Sequence, residues 1–169
     1  MLLRDQMDVI RKHQKKAPVK TVPIAQDLGI EVYRVGSWPN HISGMIRRDK
    51  DAGGDAGYAI YVNANHAEVR RRFTIAHEIG HFILHESLIG DGIVEDALLR
   101  AEGMSNSMEA QANKMAADIL MPWHLIQELQ DSGVKSVEDL ASQLQVSRDA
   151  MSIRLLGVSY TRAREMGMA

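Results

Sequence analysis

The sequence predicts an α+β fold, and three observations carry that prediction. Short segments in the first part of the chain alternate apolar and polar residues, as half-buried strands do. Arg72 to His85 instead repeats apolar residues at helical spacing and contains His77-Glu78-x-x-His81. The chain then ends in a pattern that reads as two helices about a tight turn. Together these describe about three strands, an HExxH helix and a helical, helix-turn-helix-like C-terminal part.

Taken in order, Asp5 to Lys16 reads as an amphipathic helix with a basic tail. Thr21 to Leu28 is a short helix stopped by Gly29. Ile30 to Val35 alternates and forms the first strand, and Ile42 to Arg47 the second. Asp51 to Gly57, rich in Gly and Asp, is a turn or hairpin loop. Tyr58 to Val62 is the third strand, after which Asn65 is placed to cap the HExxH helix. Glu86 to Ser107 holds Gly90, Gly92 and Gly103 with no clean period, and is either a surface connector or a flap over a cleft. Glu109 to Pro122 is a further helix, ended by its proline.

Spacing gives the HExxH segment its chemistry. Residues four apart stand nearly above one another on a helix, so His77 and His81 can reach one ion. Glu78 lies about 100° further around, where a carboxylate can hold and deprotonate a water. Phe73, Ile75, Ala76, Ile79, Phe82 and Ile83 bury the helix, and a buried imidazole needs a partner. Gly80 in the ligand turn points to something packed closely against it. A structural zinc site would close with four protein ligands, often thiolates, and this chain has no cysteine. Two histidines, one carboxylate and a position left for water is the catalytic pattern.

Glu109 is the candidate third ligand, with Asn113 one turn later positioned to accept the second ring N–H of a ligating histidine. His85 continues the four-residue series, but lies about 6 Å further along the axis than His81, too far to share an ion with His77. It takes a packing role or one behind the ligands. His41, His66 and His124 read as surface residues, and Tyr58, Tyr61 and His41 as candidates for stabilising an oxyanion.

These two blocks resemble the ImmA/IrrE family of zinc metallo-endopeptidases. Arg72-Phe73-Thr74-Ile75-Ala76-His77-Glu78-Ile79-Gly80-His81 is similar to that family's signature, and Glu109 to Pro122 to its second block. Gln111 stands where the family often has Glu and Met115 where it often has Phe; neither is expected to touch a proposed ligand, so both bear on packing rather than chemistry. The resemblance implies a gluzincin-like site: His77, His81 and Glu109 holding one Zn²⁺ per chain, and Glu78 as the base. It implies a small mixed sheet packed on the metal helix. It also suggests a sheet edge, with Tyr58, Ile60 and Val62 as the substrate-binding strand onto which an extended peptide adds. Mn²⁺ or Fe²⁺ would suit the same ligands.

Residues 1–132 then form a metallopeptidase domain and 133–169 a helical extension. In the extension Leu140, Ala141 and Leu144 make an apolar face, Val146 fills the turn and Ser147 caps the second helix. Leu140 and Leu155 are expected to be buried, and Arg148 and Arg154 exposed or paired. Lys135, Arg148, Arg154, Arg162 and Arg164 are nearly balanced by Glu138, Asp139, Asp149 and Glu165, so packing or partner docking is preferred to DNA recognition.

Composition narrows the function classes. A length of 169 residues suits one compact unit with a small appendage. A formal net charge of -2 gives no general attraction to nucleic acid. No apolar run approaches the roughly 20 residues of a membrane span, and the N-terminus does not read as a signal peptide, which makes the cytoplasm the expected compartment. The resemblance implies a protein substrate, a small DNA-binding repressor whose cleavage relieves repression in a stress or mobile-element circuit. The competing reading is a non-proteolytic, toxin–antitoxin-like partner of such a repressor with a structural or sensing metal.

Overall fold

A computed structural model describes residues 1–90 and 106–165, with the side chains of the last helix described to residue 157. Helix α1 (Leu3–Lys12) and α2 (Thr21–Asp27) precede a sheet of three strands, β1 (Ile30–Val35), β2 (Gly44–Arg48) and β3 (Tyr58–Asn63). The HExxH helix α3 (Glu68–His85) follows, then α4 (Asn106–Leu120), α5 (Trp123–Asp131), α6 (Val137–Leu144) and α7 (Arg148–Glu165). This is the small mixed sheet against a metal helix, with a helical C-terminal part, that the sequence predicts.

Strand order is β1-β3-β2, with β3 parallel to β1 and antiparallel to β2. Tyr58, Ile60 and Val62 share one parity of β3 and are all buried. Their face is turned to α3, where the Tyr58 ring meets Phe82 at 5.1 Å. Tyr61, of the opposite parity, stacks instead on Tyr33 of β1. Gly44 opens β2 at the tightest point of this layer. A Cβ there would fall 2.5 Å from Thr74 Cγ2 and 2.8 Å from the Tyr61 carbonyl oxygen. Only a residue without a side chain lets β2 lie this close to α3.

Local chemistry moves two expected boundaries. The amide of Asn63 donates to the carbonyls of Pro39 and Ile42 at 2.9 and 2.8 Å, which keeps Ile42 outside the ladder, so β2 begins at Gly44. Asn65 does not cap α3. Its backbone N–H donates to Asn63 Oδ1 and its side chain to the Gly36 carbonyl. It therefore closes the turn after β3, and the helix starts later, with Ala67 as N-cap. The Asp51–Gly57 loop is held by Asp49, whose Oδ1 accepts from the N–H groups of Asp51 and Ala52. After α3 the chain makes a short 3₁₀ turn, Glu86–Leu88, and buries Ile89. The remainder of the segment read as connector or flap, residues 91–105, lies outside the described residues.

Pro122 does end α4, but it also serves as the N-cap of α5, a helix the sequence reading did not assign. The C-terminal helices form as their caps dictate. Ser136 Oγ accepts from the Asp139 N–H, Gln145 turns the chain in the left-handed region at φ 52°, and Ser147 Oγ accepts from the Ala150 N–H. Leu140, Ala141, Leu144, Val146 and Met151 join the same apolar core as Ile60 and Ile79. Leu140 is buried as expected, whereas Leu155 is only partly so.

Two arginines tie these helices to the rest. Arg72 of α3 donates to the carbonyls of Leu144 and Gln145 at the end of α6, where a cation also complements the helix dipole. Arg154 of α7 donates to the Met121 carbonyl and to Asp118, and lies over the Trp123 ring at 4.4 Å. Arg148 pairs with Glu138.

Candidate metal centre

The centre lies where α3 and α4 cross. Gly80 makes the crossing close, since a Cβ on it would stand 3.0 Å from the Ala112 carbonyl oxygen and 3.2 Å from Ala112 Cα. This approach brings the first turn of α4, with Glu109, over the histidines one turn apart on α3. His77 Nε2 lies 3.2 Å from Glu109 Oε2, and His81 Nε2 lies 2.9 Å from Glu109 Oε1. One donor atom from each of the three residues lies within 4.8 Å of the others. Four ligands at zinc bond lengths stand about 3.3 Å apart around a tetrahedral ion. Two imidazoles and a carboxylate at these separations fit a single divalent cation with modest contraction.

Both histidines turn the same nitrogen inward because the other is occupied. His77 Nδ1 lies 2.8 Å from Asn113 Oδ1. The amide oxygen accepts, so His77 donates at Nδ1 and bares a lone pair at Nε2. His81 Nδ1 lies 2.9 Å from His85 Nδ1, and His85 Nε2 lies 2.8 Å from Gln111 Oε1. Asn113 and His85 thus stand behind the two candidate ligands, one each. Burial, then the neighbouring His77, holds His81 down to about 4, so its ring is neutral near pH 7, as a ligand must be. Glu78 sits beside them, 1% exposed.

Several sequence assignments change place. Tyr58, Ile60 and Val62 cannot form an edge that takes up a peptide. β3 is the central strand, hydrogen-bonded on both sides, and these three side chains are in the core against α3. Alternation identifies a strand but not its place in the sheet. The Tyr58 hydroxyl is engaged with Glu86, and Tyr61, on the other face, donates to Asp49. His66 is buried, with Nε2 2.8 Å from the Asn40 carbonyl. His41 and His124 are exposed as expected. Gln111, a packing position on sequence grounds, instead reaches a candidate ligand through one histidine.

A separate apolar cavity of about 1140 Å³ runs between α3, α4 and α7, lined by Phe73, Ala117, Met121, Trp123 and Ile153. Asn113 borders it, but His77, His81 and Glu109 do not, so it is distinct from the metal centre.

Residues 25–156 match the family model of the IrrE N-terminal-like domain, peptidase M78. Over 94 residues the chain is 36% identical to the radiation response metalloprotease IrrE of Deinococcus radiodurans, an alignment that takes in 52% of this chain and 27% of that protein. The chain thus corresponds to about a quarter of that relative's length. Its fold is similar to that of a Mycobacterium tuberculosis transcriptional regulator, with a TM-score of 0.57 and 16% identity over 89% of this chain and 46% of the other.

Proposed function

The chain belongs to the IrrE N-terminal-like domain family of M78 peptidases, and from that membership we propose that it is a zinc-dependent endopeptidase. The observation that carries the proposal is the convergence of His77 Nε2, His81 Nε2 and the Glu109 carboxylate, with the buried Glu78 alongside. These three residues would hold the ion, and the absence of thiolates favours a catalytic over a structural zinc. When bound, the cation supplies Lewis acidity and charge stabilisation at the substrate carbonyl.

The rest is done by the chain's own groups. The Glu78 carboxylate takes a proton from the attacking water as the water oxygen bonds to the carbonyl carbon. It gives that proton to the amine nitrogen as the C–N bond breaks, so it ends as it began. Asn113 and His85 fix the two ligand rings so that Nε2 of each faces inward. For the extended substrate we assign β2 in place of β3. It lies at the edge of the sheet, with the outer N–H of Arg48 at its end bonded to the Gly90 carbonyl, and its Gly44 packs on Thr74, one turn of α3 before Glu78.

The proposed substrate is a small DNA-binding repressor, as the family resemblance implies. The experiment is incubation of the purified protein with such a repressor, encoded beside it, in the presence of Zn²⁺. Wild type should cut it, while Glu78→Gln should bind zinc and fold but cut at least a hundredfold more slowly, in line with loss of a general base. Cleavage by Glu78→Gln at the wild-type rate would remove Glu78 from the mechanism. Binding without cleavage that alone releases operator DNA would favour the non-proteolytic partner.

A further inference from the structure

We propose that Gln111 is a positioning residue: through His85 it sets which nitrogen of His81 is bare toward the metal centre. The inference rests on the metal-centre reading above, and starts from three contacts. His81 Nε2 lies 2.9 Å from Glu109 Oε1, His81 Nδ1 lies 2.9 Å from His85 Nδ1, and His85 Nε2 lies 2.8 Å from the Gln111 amide.

The contact between the two Nδ1 atoms constrains the rest. A hydrogen bond between two imidazole nitrogens holds one proton. If both rings are neutral, one carries its proton at Nδ1 and the other at Nε2, so His81 and His85 must be opposite tautomers. The Gln111 contact selects between the two assignments: its amide oxygen can only accept, so His85 donates from Nε2 to Gln111 Oε1 and accepts at Nδ1 from His81, leaving His81 Nε2 as a lone pair for a cation.

The amide oxygen ends this hydrogen-bonded chain as an acceptor; a carboxylate oxygen at the same place could do the same, and an apolar side chain could not. His85 is buried, so its Nε2 proton is costly to leave without an acceptor.

The test compares wild type, Gln111→Met and Gln111→Glu in two measurements at pH 8. One is Zn²⁺ affinity by competition with a chromophoric chelator. The other is ¹⁵N NMR of the histidine rings, with and without Zn²⁺, which reports the tautomer irrespective of hydrolysis. In wild type, His81 and His85 should be opposite tautomers, with the His85 proton on Nε2, whether or not zinc is bound. Gln111→Met should weaken zinc binding about ten- to a hundredfold, the range for losing a group behind a ligand. Gln111→Glu should stay within a few-fold of wild type because the acceptor is kept.

Identical tautomers on the two rings would overturn the proposal. So would a Gln111→Met protein that binds zinc as wild type does, or equal losses in both variants, which packing alone would produce. If wild type takes up no zinc, the metal reading fails. Opposite tautomers redistributed by Gln111→Met would still support the chain in that case, and tautomers unmoved by it would end both.

Discussion

Each candidate ligand histidine uses both of its ring nitrogens, and this sets what its loss should do. His81 offers Nε2 toward Glu109 and Nδ1 toward His85. His81→Ala should therefore abolish most zinc uptake, whereas Glu78→Gln should leave zinc near one equivalent per chain by elemental analysis. Zinc kept at full stoichiometry by a His77→Ala/His81→Ala double variant would place the ion elsewhere. Much at this scale is legible in the sequence. His77, His81, Glu109 and Asn113 are paired by helical spacing, which any helix imposes. Gln111 was not legible, because its contact with His85 depends on the register of α4 against α3. That register is set by the close approach at Gly80 and has no signature within α4 itself.

Among the elements, the three strands, the HExxH helix and the two-helix C-terminal motif could all be read from periodicity and caps. Strand order could not, because alternation is the same for a central and an edge strand half-covered by helices. The tightness of the β2–α3 contact is likewise a property of the assembled layers. Gly44→Ala should cost about 1–3 kcal/mol, the range for forcing extra volume into a packed interior. The backbone oxygen of Tyr61, 2.8 Å from the added Cβ, cannot swing aside as a side chain could. An unchanged urea midpoint would show that the layers separate without cost.

The loop after β2 carries a pH response. The N–H of Ala52, then the Tyr61 hydroxyl, the Asp51 N–H and Arg47, hold the Asp49 carboxyl down to about 2. The folded pKa is depressed, so this contribution is present above the ordinary carboxylate range near 4 and is lost as pH falls toward 2. Asp49→Asn should flatten the fall in urea midpoint between pH 4 and pH 2. A slope equal to that of wild type would assign the acid sensitivity to other carboxylates.

For the molecule as a whole, the issue is whether the C-terminal helices are an appendage or part of the core. The sequence suggests a division after residue 132, since the helix-turn-helix pattern begins just beyond it. Buried contacts argue for joint behaviour: Leu140, Leu144 and Met151 lie in one core cluster with Ile79 of the metal helix. Arg72 bonds the end of α6, and Arg154 bonds α7 to Asp118 and Met121. Arg154 is thereby committed to packing, and Arg148 is opposed by Glu138, which leaves the second helix little net charge for phosphate. No helix among the described residues is long and apolar enough to cross a membrane.

If the helices are integral, unfolding should be a single event. Trp123 sits under Arg154 at the junction, so in a Trp38→Phe background its fluorescence reports that junction, while far-UV circular dichroism reports all helices. The two denaturation curves should coincide, as for one cooperative unit. Leu140→Ala should shift both together by about 2–5 kcal/mol, the cost of emptying a buried leucine site. Arg72→Met should shift both in the same direction by less, because it removes hydrogen bonds to two carbonyls rather than core volume. A fluorescence transition that precedes the loss of helix in Leu140→Ala, with zinc affinity unchanged through it, would show instead that the C-terminal helices melt alone and leave the metal centre standing.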